Sequence, residues 1–267
     1  MPDYLYHYTS ISTLALILRD RNIRLSRLDA VDDISESVTN DSVEFAQYLF
    51  VSCWTDQSEE SIPFWHMYTP SMAGVRLRLP RQMFEKHNVR SDEQRALYSQ
   101  YDNCILPLER LHGSNYLVVP ETFDKFHKIE YTNDLSLLEP KLYELNADGS
   151  HSVSFGSLGR YKRQHWSFQS EWRYRLMVFP SIAPPKISYG DPSYMTDFAN
   201  HMTRIVQGSP VPFSEFFLKL DSDAFEKMQV VSGPKCSEGD IATIEALLST
   251  HNPSATFTRS ELDKTIR

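Results

Sequence analysis

From Glu171 onward, polar and apolar positions alternate. Trp172, Tyr174, Leu176 and Val178 fall on one face, and Glu171, Arg173 and Arg175 on the other. A period of two over this length predicts a half-buried strand. Its polar face opens with a carboxylate, and Gln169 stands two residues earlier. A strand that begins by Gln169 would project both side chains from one face at one strand end, where a glutamate can sit in a cleft. The plainer expectation is a charge set on an edge strand, Glu171 with Arg173, that discourages aggregation.

The rest of the chain yields further elements. Leu5-Tyr6-His7-Tyr8-Thr9 predicts a short aromatic strand. Ser10 is placed to cap a helix whose apolar face is Ile11, Leu14, Ala15, Ile17 and Leu18. Ile23-Arg24-Leu25-Ser26 reads as a brief strand. Residues 29–36 form an acidic turn, with a helix expected to run on to Gln47. Residues 48–54 are nearly all apolar, which predicts a central strand covered on both faces. Ser61-Ile62-Pro63 opens a short helix carrying Phe64, Trp65, His66 and Tyr68, and Pro70 ends it. Residues 74–79 alternate as a strand, and Ser91-Asp92-Glu93-Gln94 has capping-box spacing. Between 106 and 159 the pattern is weak. Strands are expected at 116–119 and 129–132, a helix at 135–145, and a Gly/Ser-rich loop at 148–159. Arg160-Tyr161-Lys162-Arg163 is a basic run, and 180–192 is a proline-rich connection. Late strands are expected at 216–220, 229–232 and 255–258, with a helix at 238–248. No internal repeat or linker stands out, so 1–267 is expected to be one α+β domain with a poorly patterned insertion near 106–159.

Composition narrows the classes. A chain of 267 residues with 41% hydrophobic and 23% charged residues can bury a sizeable core. A formal net charge of −8 argues against bulk electrostatic binding to nucleic acid, while leaving room for a local basic groove. Cys53, Cys104 and Cys236 are too few and too far apart for a disulfide framework or zinc site, so reduced thiols in a cytoplasm are expected. Met1-Pro2-Asp3-Tyr4 has no basic or apolar leader character, and no apolar run approaches a membrane span. The sequence has no His-Glu-x-x-His, P-loop, Gly-x-Gly-x-x-Gly or Gly-x-Ser-x-Gly motif, and its nine histidines lack ligand spacing, so no metal is expected.

Elements far apart in sequence remain: His7 between tyrosines, Trp65 and Tyr68 on one helix face, and Gln169 with Glu171. Here the chain resembles a widespread bacterial family of unknown function. The resemblance runs through Leu5-Tyr6-His7-Tyr8-Thr9-Ser10, Ile23-Arg24-Leu25-Ser26, Asp32-Asp33-Ile34-Ser35-Glu36, Phe50-Val51-Ser52-Cys53, Trp65-x-x-Tyr68, Gly74-Val75, Trp166 with Glu171-Trp172-Arg173, and Val231-x-Gly233-Pro234. That family carries Asn-Asp-Pro-Phe-Glu where this chain has Asp32-Asp33-Ile34-Ser35-Glu36. It resembles the ADP-ribosyltransferase fold, in which two small sheets grip NAD.

One class of that superfamily reads His–Tyr–Glu, and His7, Tyr68 and Glu171 match in type and order. Gln169-Ser170-Glu171 is also similar to the Gln-x-Glu pair of bacterial toxins. The resemblance implies split sheets with peripheral helices and transfer of ADP-ribose from NAD to a macromolecule, protein or nucleic acid. Hydrolysis of NAD, or a non-catalytic nucleotide sensor or interaction module, are the alternatives, with phage defence or a toxin system as the setting. Glu171 would then stabilise the ribose cation, and Gln169 would orient the acceptor. His7, with Tyr8 beside it, would hold ribose. Tyr68 and Trp65 would stack on nicotinamide. Arg24 or the basic run at 160–163 would meet the pyrophosphate.

Overall fold

The hub of the fold is the apolar strand expected at 48–54. In the computed structural model, which describes residues 1–90, 100–111, 113–119, 126–147, 151–181 and 193–266, it runs from Leu49–Thr55. Ten strands of the described residues form one sheet around it. They are β1 (Tyr4–Thr9), β2 (Asn22–Arg27), β3 (Leu49–Thr55), β4 (Val75–Pro80), β5 (Tyr116–Val119), β6 (Phe126–Lys128), β7 (Glu171–Pro180), β8 (Glu215–Lys219), β9 (Gln229–Ser232) and β10 (Thr256–Thr258). The longer helices are α1 (Ile11–Asp20), α2 (Ile62–Tyr68), α3 (Ser193–Val206) and α4 (Glu238–His251).

The sheet forks at β3. One edge of β3 pairs antiparallel with β7 from Glu171↔Thr55 to Met177↔Leu49. The other edge is shared. β2 takes one end at Ser26↔Val51 and Arg27↔Phe50, while β1 takes the other at Tyr6↔Thr55. Ser52, Cys53 and Trp54 lie between these two pairings. Beyond the fork, β1 continues to β4, β9 and β10, and β2 continues to β8. β1 and β2 are joined by α1, whose Ser10 cap accepts the Thr13 N–H at 3.0 Å.

Strand alternation assigns the two faces. Leu5, Leu77, Leu79 and Val230 meet Leu14 and Leu18 of α1 and Ile244 and Leu248 of α4 in the main core. A smaller cluster of Tyr8, Phe64, Trp65 and Met72 lies under α2, backed by Leu262 and Ile266 of the C-terminal segment.

Several expectations are corrected. β7 is buried at all ten positions and is not half-buried at an edge. It is flanked by β3 on one side and by β5 and β6 on the other, and buried partners cover its charged face. The acidic turn expected at 29–36 is present as turns at Leu28–Ala30 and Ile34–Ser37, but the helix expected to run on to Gln47 is not, and the turn Phe45–Tyr48 stands there instead. The Asp33 carboxylate accepts from the N–H and hydroxyl of Ser35, a local turn that competes with helix. The helix expected over 135–145 is one turn, Leu135–Leu138, because Pro140 cannot continue it. α3 had no counterpart in the sequence pattern. The capping box at 91–94 and the proline-rich stretch 182–192 lie outside the described residues. Among the described residues, no helix is long and apolar enough to cross a membrane.

Candidate active site

The fork opens a cavity of about 380 Å³, inside the roughly 300–1,000 Å³ range of ligand pockets. α1 and β2 line one end, and α2 with the segment before β7 lines the other. His7, Tyr8, Arg24, Tyr68, Gln169 and Glu171 all line it. Trp65 does not. It is 0% exposed, its ring meets Tyr8 edge-on, and its indole N–H donates to Glu60 at 2.9 Å. Its expected stacking on a ligand is therefore replaced by a core role behind Tyr8.

His7 spans the fork. Its Nδ1 lies 2.9 Å from the Cys53 carbonyl oxygen. A carbonyl only accepts, so Nδ1 carries the proton and Nε2 of the neutral ring keeps its lone pair. Burial lowers the His7 pKa, with the Arg24 charge adding to it against the Cys53 hydrogen bond, so the ring is neutral at pH 7. Tyr8 is buried, and its hydroxyl accepts from the Ser61 N–H at 3.1 Å.

Tyr68 ends α2. Its hydroxyl accepts from Gln169 Nε2 at 2.6 Å, and burial, then Asp32 and Glu171, push its pKa up, so it stays a neutral phenol. Gln169 is not on the strand. It closes a short helix, Gln164–Gln169, and Ser170 turns the chain into β7 with a left-handed φ of 44°. Gln169 and Glu171 still meet, through Lys162. The Lys162 Nζ donates to Gln169 Oε1 at 2.8 Å and to Glu171 Oε2 at 3.1 Å. With both ends of its amide engaged, Gln169 has a fixed orientation between Tyr68 and Lys162. It lines the cavity and braces these two groups.

Glu171 belongs to a buried quartet. Arg173 Nε bonds its Oε1, and the two Nη atoms of Arg173 fork onto Glu36. Lys162 Nζ also reaches Glu36 Oε1 at 3.2 Å. All four side chains are at most 6% exposed. Two carboxylates and two cations leave the quartet neutral overall. Burial alone would raise the Glu171 pKa, but Arg173 and Lys162 outweigh it and hold the group down to about 2. Glu171 is thus an ionised carboxylate at the cavity wall. Each of its oxygens has one cation partner, and the Cys53 thiol also hydrogen-bonds the carboxylate. Its backbone N–H donates to the Tyr131 hydroxyl at 2.8 Å.

The basic run 160–163 is not one face. Lys162 points inward into the quartet, while Arg160 pairs with Glu130 at 3.2 Å and Arg163 approaches Glu139 at 3.9 Å. Arg24 remains at the cavity, in an exposed pair with Glu215 at 2.9 Å. Arg173 was expected beside Glu171, but Glu36, Lys162 and Cys53 were named only within motifs or the basic run and not as partners of that carboxylate. Burial holds the Cys53 thiol protonated. The one signal for the quartet was Arg173 on the charged face of a strand whose other face is all large and apolar. If that strand is central, its charged face must find buried counter-charges.

Scanned against protein-family models, the chain matches none. It also matches no curated protein and no solved structure.

Proposed function

We propose that the fork binds NAD and that the chain transfers ADP-ribose from it to a macromolecular acceptor, with release of nicotinamide, on an ADP-ribosyltransferase-like arrangement of split sheets. The observation that carries this is the meeting of His7, Tyr68 and Glu171, 164 positions apart from first to last, on one cavity at the fork. The neutral His7 ring offers Nε2 to a ribose hydroxyl. Tyr68 offers an aromatic face for nicotinamide. The lone pair of Glu171 that Lys162, Arg173 and the Cys53 thiol leave open accepts from a ribose hydroxyl. As the C–N bond to nicotinamide breaks, its electron pair leaves with nicotinamide and positive charge grows on the ribose. A fixed carboxylate beside that charge favours the transition state over the ground state. Arg24 suits the pyrophosphate, because an exposed ion pair of the kind it makes with Glu215 is worth only about 0–1 kcal/mol and exchanges partners readily.

One observation favours a second reading, a sensor that binds NAD without turnover. Both Glu171 oxygens already face cations, which weakens their pull on a developing positive charge. NAD labelled in its adenosine half separates the outcomes. Label on a macromolecule supports transfer, and free labelled ADP-ribose supports hydrolysis. Saturable binding with no nicotinamide released supports the sensor. Absence of binding at millimolar NAD removes all three.

A further inference from the structure

The open face of β1, β4, β9 and β10 has an unusual make-up for a chain of formal charge −8. Register puts Tyr6 beside Arg78, Arg78 beside Gln229, and Gln229 beside Thr256 on one face. The neighbouring outward rungs are Tyr4, Arg76 and Thr258. None of these outward positions is a carboxylate. Tyr4 is 36% exposed, and Tyr6, Arg76 and Arg78 are half-buried.

The two arginines are arranged differently from Arg173. Arg78 stacks on Tyr4 with its guanidinium carbon 3.5 Å from the ring centre, and Arg76 lies 5.0 Å from the centre of the Tyr6 ring. Among the described residues, neither makes an ion pair. Stacking engages the flat faces of a guanidinium and leaves in-plane donors for phosphate. Arg76 gives one Nη to the Ser58 carbonyl oxygen at 2.8 Å, and the Nε of both arginines is buried, so the remaining Nη groups are the ones that meet a ligand. It also holds the side chain still, so little freedom is lost on binding. Two positions apart on a strand, the arginines are separated by about 6.5–7 Å, a spacing that suits successive phosphates of an extended strand. Rings and guanidinium planes together form a platform on which unpaired bases stack. The strip is continuous with the cavity, because Tyr6 lines it and Glu171 lies on the same side of the sheet through the Tyr6↔Thr55 and Thr55↔Glu171 pairs.

We propose that this tyrosine–arginine strip docks a single-stranded nucleic acid and leads it to the fork, which makes single-stranded nucleic acid the acceptor class. The acceptor assignment rests on the transferase reading above, whereas the docking itself does not.

Fluorescence anisotropy with labelled oligo-dT and oligo-U of about 12 nucleotides, within the span of known single-strand sites, tests it. The expected result is saturable binding at low salt. Arg78→Gln should flatten the log–log salt slope by about 0.7, the value of one single-strand phosphate contact. Tyr4→Ala should weaken binding by roughly 5- to 150-fold, the range for losing one stacked base. Neither residue lines the cavity, so both variants should keep wild-type NAD affinity and melting temperature. Absence of oligonucleotide binding by the wild-type chain at 50 mM salt (the low end of the usual range) overturns the inference. So does binding that is indifferent to both substitutions, whereas NAD label appearing only on protein overturns the acceptor assignment. Oligonucleotide binding on the strip with no label transferred to it upholds the docking and overturns the acceptor assignment alone.

Discussion

Glu36 does not line the cavity, yet it shares both cation partners of Glu171. It takes both Nη atoms of Arg173 and shares Lys162 with Glu171. Removing one charge from a buried set leaves another uncompensated, at a cost of about 3–5 kcal/mol. Glu36→Gln should therefore lower unfolding stability by about that amount in urea titrations. Arg24→Gln, in an exposed pair, should change it by less than about 1 kcal/mol.

The pH dependence follows from the direction of each shift. The folded-state pKa of Glu171 falls from 4.5 to about 2. The stability it contributes is complete above about pH 4.5 and is lost as pH falls toward 2. Denaturation at a series of pH values should show a drop in that window that Glu171→Gln lacks. His7 is shifted below 6.5, so Nε2 is a free acceptor at neutral pH. NAD affinity should stay flat from pH 8 to 6.5 and fall only at lower pH. A fall centred at 7 or above would show that the His7 pKa is not lowered, and affinity that rises on acidification would show that the charged ring binds.

At this scale the sequence located His7, Tyr68 and Glu171 by residue type and order. It misplaced Trp65, because an i, i+3 spacing with Tyr68 gives the same helix face whether that face meets core or cleft. Lys162 was hidden in a run of basic residues, since neighbouring side chains on a strand point opposite ways and a run of like charges does not reveal which one is inward.

Among the elements, β1, β4 and β9 depend on close backbone approach. A Cβ on Gly233 would stand 2.2 Å from the Met72 carbonyl oxygen, and one on Gly74 would stand 2.4 Å from that of Thr9. The obstacles are backbone atoms, which cannot swing aside. Gly233→Ala should cost about 1–3 kcal/mol, the usual range for overpacking, and urea midpoints measure it. The strands around the fork were legible from period-two patterning, and β5 and β9 match their expected bounds. The burial of β7 was not legible. A row of charges looks the same in sequence whether it meets water or a buried set of opposite charges. The turn at 29–36 was read as a turn, whereas the helix expected to run on from it to Gln47 is absent, and only the turn Phe45–Tyr48 stands in that stretch.

For the molecule as a whole, the decisive feature is that β1 and β2 leave the same edge of β3 in different places. No local pattern encodes that fork, because it arises from long-range register. It brings the polar end of β7 and the α1–β2 end to a single opening, and the tyrosine–arginine strip leads away from it across the same sheet. The most direct test is a crystal structure with a non-hydrolysable NAD analogue. The account predicts one analogue per chain threaded through the fork, with its nicotinamide riboside between Tyr68 and Glu171 and a ribose hydroxyl on His7 Nε2. An empty fork at millimolar analogue, or an analogue bound elsewhere on the chain, would contradict it.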